Sequence, residues 1–110
     1  SWGSTTSNYL LAIDNRIKSA FICAGGLMMQ KSKKEIEAHY YVRRIKTPVF
    51  HITGKLDGIF GPEAYLPWKK LIGTPSKDLM TIEYDKYGHG IPKDTIIKYH
   101  ADWIKKYSNR

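Results

Sequence analysis

The chain has 110 residues, of which 42% are hydrophobic and 13% aromatic, and it contains a single cysteine. This composition excludes a disordered chain, and the length allows one domain with one modest core. The lone Cys23 excludes an internal disulfide and a cysteine-based metal site, and no apolar run approaches the roughly 20 residues that span a bilayer. We therefore expect a soluble protein that needs no metal or cofactor. Because no signal-peptide pattern opens the chain, we expect it in the cytoplasm.

The charge balance is basic, with 18 Lys and Arg against 10 Asp and Glu and a net charge of +8. A nucleic-acid partner therefore has to be considered. No RNA-recognition signature, zinc-finger spacing or basic coiled coil accompanies the cations, so we interpret them as a solvated surface that steers anions. They fall in small groups along the chain: Lys31, Lys33 and Lys34; Arg43, Arg44 and Lys46; Lys69 and Lys70; Lys105 and Lys106.

The first half of the chain is predicted to alternate between helix and strand. Residues 3–13 carry apolar side chains at helical spacing, and the turn formers Asp14 and Asn15 follow. Residues 17–24 form an apolar run that suits a strand covered on both faces. The polar segment that follows predicts helical turns around residues 35–42.

The second half continues the alternation. Residues 49–53 form a second apolar run, and a helix is predicted from Pro62, with Pro67 making its first turns irregular. Residues 80–84 alternate between apolar and polar side chains and predict a strand near an edge of the sheet. Residues 92–107 carry an apolar stripe and predict the last helix. The whole pattern predicts an α/β fold of three parallel strands with flanking helices in three layers.

Chemistry in such sheets gathers just past the carboxyl ends of the strands. Asp57 follows the second predicted strand and His89 follows the third, so both side chains are expected at one edge. A carboxylate that orients an imidazole makes two thirds of a nucleophilic triad. Ser1, in Ser1-Trp2-Gly3 before a helix, resembles the second half of a G-x-S-x-G nucleophile elbow and would complete the triad.

One further aspartate and three further histidines are alternatives for these roles. Asp85 lies on the same loop as His89 and is the rival acid, although less usual in that position. His51 lies within a strand and His100 on a helix face, where packing explains them better than chemistry does. His39 is expected at the surface, and no histidine spacing indicates a metal site.

Four motifs in this order resemble the C-terminal half of an α/β-hydrolase, in the prolyl oligopeptidase and dienelactone hydrolase-like branch. The resemblance covers essentially residues 1–110, as a C-terminal segment of an α/β-hydrolase domain. The motifs are Ser1-Trp2-Gly3-Ser4, Ile45-Lys46-Thr47-Pro48-Val49 leading to Gly54-Lys55-Leu56-Asp57, Lys70-Leu71-Ile72-Gly73-Thr74-Pro75, and Tyr87-Gly88-His89-Gly90-Ile91-Pro92.

The resemblance implies a serine hydrolase that acts on a small ester, acyl or peptide substrate through an acyl-enzyme. It makes Ser1 the nucleophile, Asp57 the acid and His89 the base, with the backbone N–H of Trp2 as an oxyanion-hole donor. The strands that normally precede the nucleophile, and the second oxyanion donor, would lie upstream of Ser1. We therefore expect reduced or no activity from this chain alone, and association with the missing half or with itself through an exposed sheet edge.

Three alternatives remain open at this stage. The chain could keep the hydrolase fold for binding only, or it could be a basic nucleic-acid-binding module. It could also be an N-terminal nucleophile enzyme in which the α-amine of Ser1 acts as the base, although the order Ser, Asp, His argues against this.

Overall fold

The computed structural model describes residues 1–28 and 32–108, so Lys31 of the first cation group lies outside the described residues. The main elements alternate between helix and strand along the whole chain. In chain order they are α1 (Trp2–Ile13), β1 (Ala20–Cys23), α2 (Ala38–Val42), β2 (Val49–Gly54), α3 (Pro62–Leu71), β3 (Leu79–Tyr84) and α4 (Lys93–Tyr107), with short 3₁₀ turns at Lys34–Ile36 and Ser76–Asp78.

The three strands form one parallel sheet in the order β1-β2-β3. Val49 at the start of β2 is level with Ala20 of β1 and with Leu79 of β3. All six residues of β2 are buried because a strand lies on each side of it and helices cover both faces. The predicted α/β fold is confirmed, and β3 is an outer strand, as its alternating sequence indicates.

Two apolar cores lie on opposite faces of the sheet, because successive side chains of a strand point to opposite faces. Val49 faces the core that contains Leu11 of α1, Val42 of α2 and Trp68 of α3. Phe50, its neighbour in sequence, faces the second core, which also contains Trp103 and Tyr107 of α4. Three helices therefore cover one face and α4 covers the other, which makes the predicted three layers.

Two local predictions need correction. β1 begins at Ala20 rather than at residue 17, and only Ile22 of its four residues is fully buried. Ile17 instead packs on the first core from the connection before the strand. Pro67 does not disturb α3, which runs unbroken from Pro62 to Leu71. An exposed proline in the second turn costs the helix one hydrogen bond, and burial of Trp68 on the same helix compensates for this loss.

Within residues 1–28 and 32–108, no helix combines the length and the apolar character that a bilayer crossing requires.

Candidate functional site at the carboxyl edge of the sheet

Asp57 lies three residues past the end of β2, in a turn that its own side chain holds. Its Oδ1 accepts hydrogen bonds from the backbone N–H groups of Ile59, at 2.8 Å, and Phe60, at 2.9 Å. Its backbone N–H in turn donates to the carbonyl oxygen of Gly54 at 3.2 Å. The carboxylate is fully buried, with 0% of its side chain exposed. The turn therefore fixes both the position and the direction of this carboxylate.

His89 lies on the loop that follows β3, and it contacts Asp57 directly. Its Nδ1–H donates to Asp57 Oδ2 at 2.8 Å across 32 residues of sequence. The Phe60 ring stacks beside the imidazole with a centroid distance of 6.3 Å. This hydrogen bond holds one side of the imidazole. The other side is open to a ligand, because 36% of the His89 side chain is exposed.

The His89 loop and the Asp57 turn are joined by their backbones. The N–H of Leu56 donates to the carbonyl oxygen of Tyr87 at 3.0 Å, and the N–H of Lys55 donates to that of Tyr84 at 2.9 Å. Gly54 makes this close approach feasible, because a Cβ at this position would overlap the carbonyl oxygens of Tyr87 and Gly88. A glycine as the last residue of β2 is therefore a requirement of the site's geometry.

Hydrogen bonding controls the charge of Asp57. Burial alone would raise the pKa of its carboxyl, but the N–H of Phe60, the imidazole of His89 and the N–H of Ile59 together hold that pKa below its ordinary value of 3.8. Asp57 is therefore ionised at neutral pH and can only accept hydrogen bonds. This places the proton of neutral His89 on Nδ1 and leaves Nε2 as a base.

Asp85, the rival acid, lies apart from this arrangement. Its side chain is 74% exposed and forms an ion pair with Lys55 at 2.7 Å. The carboxylate that faces His89 is that of Asp57.

Ser1 lies at the same edge of the sheet, beside the end of β1. Its main-chain nitrogen donates to the carbonyl oxygen of Cys23, the last residue of β1, at 2.5 Å. Ser4 Oγ donates to the same carbonyl at 2.7 Å and accepts from the N–H of Cys23 at 3.0 Å. Ser1 is the exposed N-cap of α1, and Trp2 is the first helical residue. The N–H of Trp2 is thus one of the first-turn groups that lack a partner within the helix.

A buried polar network that the sequence did not reveal lies between α1, β2 and α3. Trp68 Nε1–H of α3 donates to Asn8 Oδ1 of α1 at 2.8 Å, and Asn8 Nδ2–H donates to the carbonyl oxygen of Thr5 at 2.9 Å. His51 of β2, 1% exposed, lies with Nε2 at 2.9 Å from the carbonyl oxygen of Gly25. An asparagine on the otherwise apolar face of a predicted helix was the one available signal for this network.

This network sets where α1 begins relative to the sheet. Ser4 binds residue 23, and His51 binds residue 25, so the turn that follows β1 is held from two elements. Ala24 in that turn has φ of 49°, a backbone conformation that side chains other than glycine rarely adopt. The packing that holds this turn therefore also fixes Ser1.

The remaining histidines lie away from the Asp57 and His89 pair. His51 is part of the core network, His100 is exposed on α4 and stacks on Phe21 at 5.1 Å, and His39 lies 3.4 Å from Glu37. In the part of the chain that the structure describes, no group of three or more His, Cys, Asp or Glu side chains could hold a metal ion.

A cavity of about 320 Å³ opens beside the first turns of α1. Trp2, Thr6 and Tyr9 line one wall, and Leu27 and Glu37 line the other. Trp2, the residue that follows the predicted nucleophile, is thus part of the cavity wall.

No protein-family model matches the chain, and no curated protein matches it. Solved structures do. A cold-adapted esterase from an Arctic intertidal metagenomic library superposes with a TM-score of 0.77 at 17% identity, over 97% of this chain and 44% of the esterase. A protein assigned as a dienelactone hydrolase from Klebsiella pneumoniae superposes with a TM-score of 0.75 at 13% identity. The match covers 99% of this chain and 49% of that protein. The acylaminoacyl peptidase of Pyrococcus horikoshii superposes with a TM-score of 0.76 at 12% identity. The match covers 96% of this chain and 22% of the peptidase.

These likenesses show that the chain adopts part of an α/β-hydrolase-like fold. The likeness covers nearly all of this chain but half or less of each of the three neighbours. The resemblance inferred from the four sequence motifs is therefore confirmed for the fold.

Proposed function

We propose that this chain carries the catalytic residues of a serine hydrolase that cleaves a small ester, acyl or peptide substrate. The observation that supports this proposal is the contact between Asp57 and His89. A fully buried carboxylate, ionised and held by two backbone N–H groups, orients an imidazole whose other side is open to a ligand. An acid and a base in this relation are what a hydroxyl nucleophile requires.

In the proposed reaction, Nε2 of His89 takes the proton of the Ser1 hydroxyl as Oγ attacks the substrate carbonyl carbon. The negative charge that develops on the carbonyl oxygen is stabilised by the backbone N–H of Trp2. His89 then gives its proton to the leaving group, and the acyl-enzyme forms. A water molecule, deprotonated by His89, releases the acid and restores Ser1. Asp57 stabilises the imidazolium in each half-reaction and stays ionised throughout.

The neighbours are consistent with this chemistry at the level of the reaction class. One is described as an esterase, one as a dienelactone hydrolase and one as an acylaminoacyl peptidase, all of which cleave acyl bonds. The cavity of about 320 Å³ beside Trp2 has room for a small acyl or aryl group.

The proposal includes a second segment of protein. In this proposal, the upstream half of the hydrolase fold pairs with the outer edge of β1 and supplies the second oxyanion donor. A second copy of this chain is the alternative partner for that edge. Loss of one such donor lowers turnover by about 10² to 10³, so we expect weak activity from these residues alone.

A fluorophosphonate probe tests the proposal because it reacts with an activated serine and needs no known substrate. We expect slow labelling, located at Ser1 by mass spectrometry and abolished in the Ser1→Ala and His89→Ala variants. His100→Ala is the matched control, since His100 is an exposed histidine on α4, and this variant should label like the wild type. Labelling that persists in His89→Ala would contradict the role of His89 as the base, and absence of labelling from a folded sample would favour a hydrolase fold kept for binding only.

A further inference from the structure

A second cavity, of about 400 Å³, lies at the opposite edge of the sheet from Asp57 and His89. The connection from α1 to β1 forms one wall and the connection from α2 to β2 forms the other. Leu11 and Pro48 are buried and make its floor, together with the half-buried Ile17. The exposed side chains of Lys18, Arg44 and Lys46 line its rim. We call this cavity the basic groove.

The three cations of the basic groove are not neutralised by the carboxylates of residues 1–28 and 32–108. No carboxylate of the described residues lies within ion-pair distance of Lys18, Arg44 or Lys46. Asp14, the acidic residue of the groove, is already paired with Arg16, at 2.7 Å. The groove thus keeps an unbalanced positive charge.

Two of these cations are also held in place. Lys46 Nζ donates to the carbonyl oxygen of Gly73 at 3.2 Å, which leaves its other two N–H groups free to bind a ligand. The guanidinium of Arg44 lies 5.1 Å from the centroid of the Tyr41 ring. Side chains that are held before a ligand arrives lose less conformational entropy when they bind it.

We propose that the basic groove binds an organic phosphate, with its apolar part on the Leu11, Ile17 and Pro48 floor and its phosphate among Lys18, Arg44 and Lys46. Clustered lysine and arginine side chains favour phosphate oxygens. The apolar floor favours a ligand with an apolar body over inorganic phosphate. At about 3.3 Å per strand residue, the groove lies roughly a strand length from the Asp57 and His89 pair. This site is therefore independent of the proposed hydrolysis, and either proposal can fail alone.

Titrations with phenyl phosphate, phenol and inorganic phosphate, followed by calorimetry and by ¹H–¹⁵N NMR, test this site. We expect saturable binding of phenyl phosphate, with shifts confined to residues of the two connections, and at least about tenfold weaker binding of inorganic phosphate and of phenol. The double variant Lys18→Gln with Arg44→Gln should weaken phenyl phosphate binding by about 10-fold or more. The matched control is Lys98→Gln with Lys105→Gln, which removes the same charge from exposed positions on α4 and should change affinity by less than about twofold.

Three results would overturn the assignment. Equal weakening in both double variants would show that overall charge, and not the groove, attracts the phosphate. Absence of saturable phenyl phosphate binding to folded protein at low salt would show that the groove has no such ligand. A single-stranded oligonucleotide serves as competitor, and its displacement of phenyl phosphate with the same loss in both variants would assign the cations to a diffuse nucleic-acid surface instead.

Discussion

Replacement of Asp57 by Asn tests whether the site is built on an ionised carboxylate. Asn keeps the shape and can still accept from Ile59 and Phe60, but it accepts both bonds as a neutral group. Hydrogen bonds to charged groups contribute about 1.5–3 kcal/mol and neutral ones about 1. Weakening of these two hydrogen bonds should therefore lower the free energy of unfolding by about 2 kcal/mol at neutral pH. This corresponds to a drop of about 10 °C in melting temperature.

The difference between Asp57→Asn and wild type should depend on pH with a definite sign. The folded pKa of Asp57 is held below its ordinary value, so its contribution is present above that ordinary value and lost as the pH falls through the folded pKa. Urea unfolding followed by tryptophan fluorescence gives the free energy of unfolding of each protein. The difference between wild type and Asp57→Asn, the gap, should be about 2 kcal/mol at pH 7 and smaller at about pH 2.5. A gap of the same size at both pH values would refute this reasoning.

Asp85→Asn is the matched control for this experiment. It removes the same charge one loop away, where Asp85 forms an exposed ion pair with Lys55. Exposed pairs contribute about 0–1 kcal/mol, so this variant should remain close to the wild type at pH 7. If Asp85→Asn costs as much as Asp57→Asn, the loss reflects net charge and not the site.

Three further predictions concern the residues that hold the site. Gly54→Ala should lower the free energy of unfolding in urea by about 1–3 kcal/mol, because the added Cβ meets backbone oxygens. Gly90→Ala is the control, since Gly90 has open space around it, and should change that free energy by less than about 0.5 kcal/mol. Equal losses in the two variants would contradict this reasoning. Asn8→Leu should lower the free energy of unfolding of the wild type by about 2–3 kcal/mol, because it leaves the indole N–H of Trp68 unpaired. In a Trp68→Phe background, which has no indole N–H, the loss should be smaller by at least about 1 kcal/mol. Additive losses would disprove the coupling of the two residues. Burial lowers the pKa of His51 to about 4, so folding stability should fall by about 3 kcal/mol between pH 6.5 and 4 as the unfolded state gains a proton. His51→Gln should remove that slope, and an unchanged slope in this variant would assign it to other groups.

The two edges of the sheet carry different chemistry. The carboxyl edge brings together Asp57 and His89, and the amino edge carries the cations of the basic groove, which form no ion pair with a carboxylate of residues 1–28 and 32–108. A parallel sheet separates these edges by the length of its strands, because every strand runs in the same direction. The proposed hydrolytic site and the proposed phosphate site are therefore separated by the length of the strands.

The elements were predictable where local pattern and tertiary packing agree. Residues 49–53 are mostly apolar, with His51 and Thr53 as the polar exceptions, because β2 is covered on both faces. The prediction was wrong at residues 17–19, which precede β1 and combine the apolar Ile17 with the polar Lys18 and Ser19. An apolar residue can be buried by a connection as well as by a strand, and Ile17 packs on the first core from such a connection.

Sequence by itself determined the order of helices and strands and therefore which loops share an edge. It named Asp57 and His89 as residues of one edge, because in a parallel sheet the carboxyl ends of strands lie together. Only the tertiary structure decided which carboxylate faces His89, since Asp57 and Asp85 both follow strands and differ in the turn that aims them. It alone revealed that Asn8 and Trp68, 60 residues apart, share a buried hydrogen bond. Contacts of this kind depend on how helices pack across a sheet, and no local pattern in a chain encodes that distance.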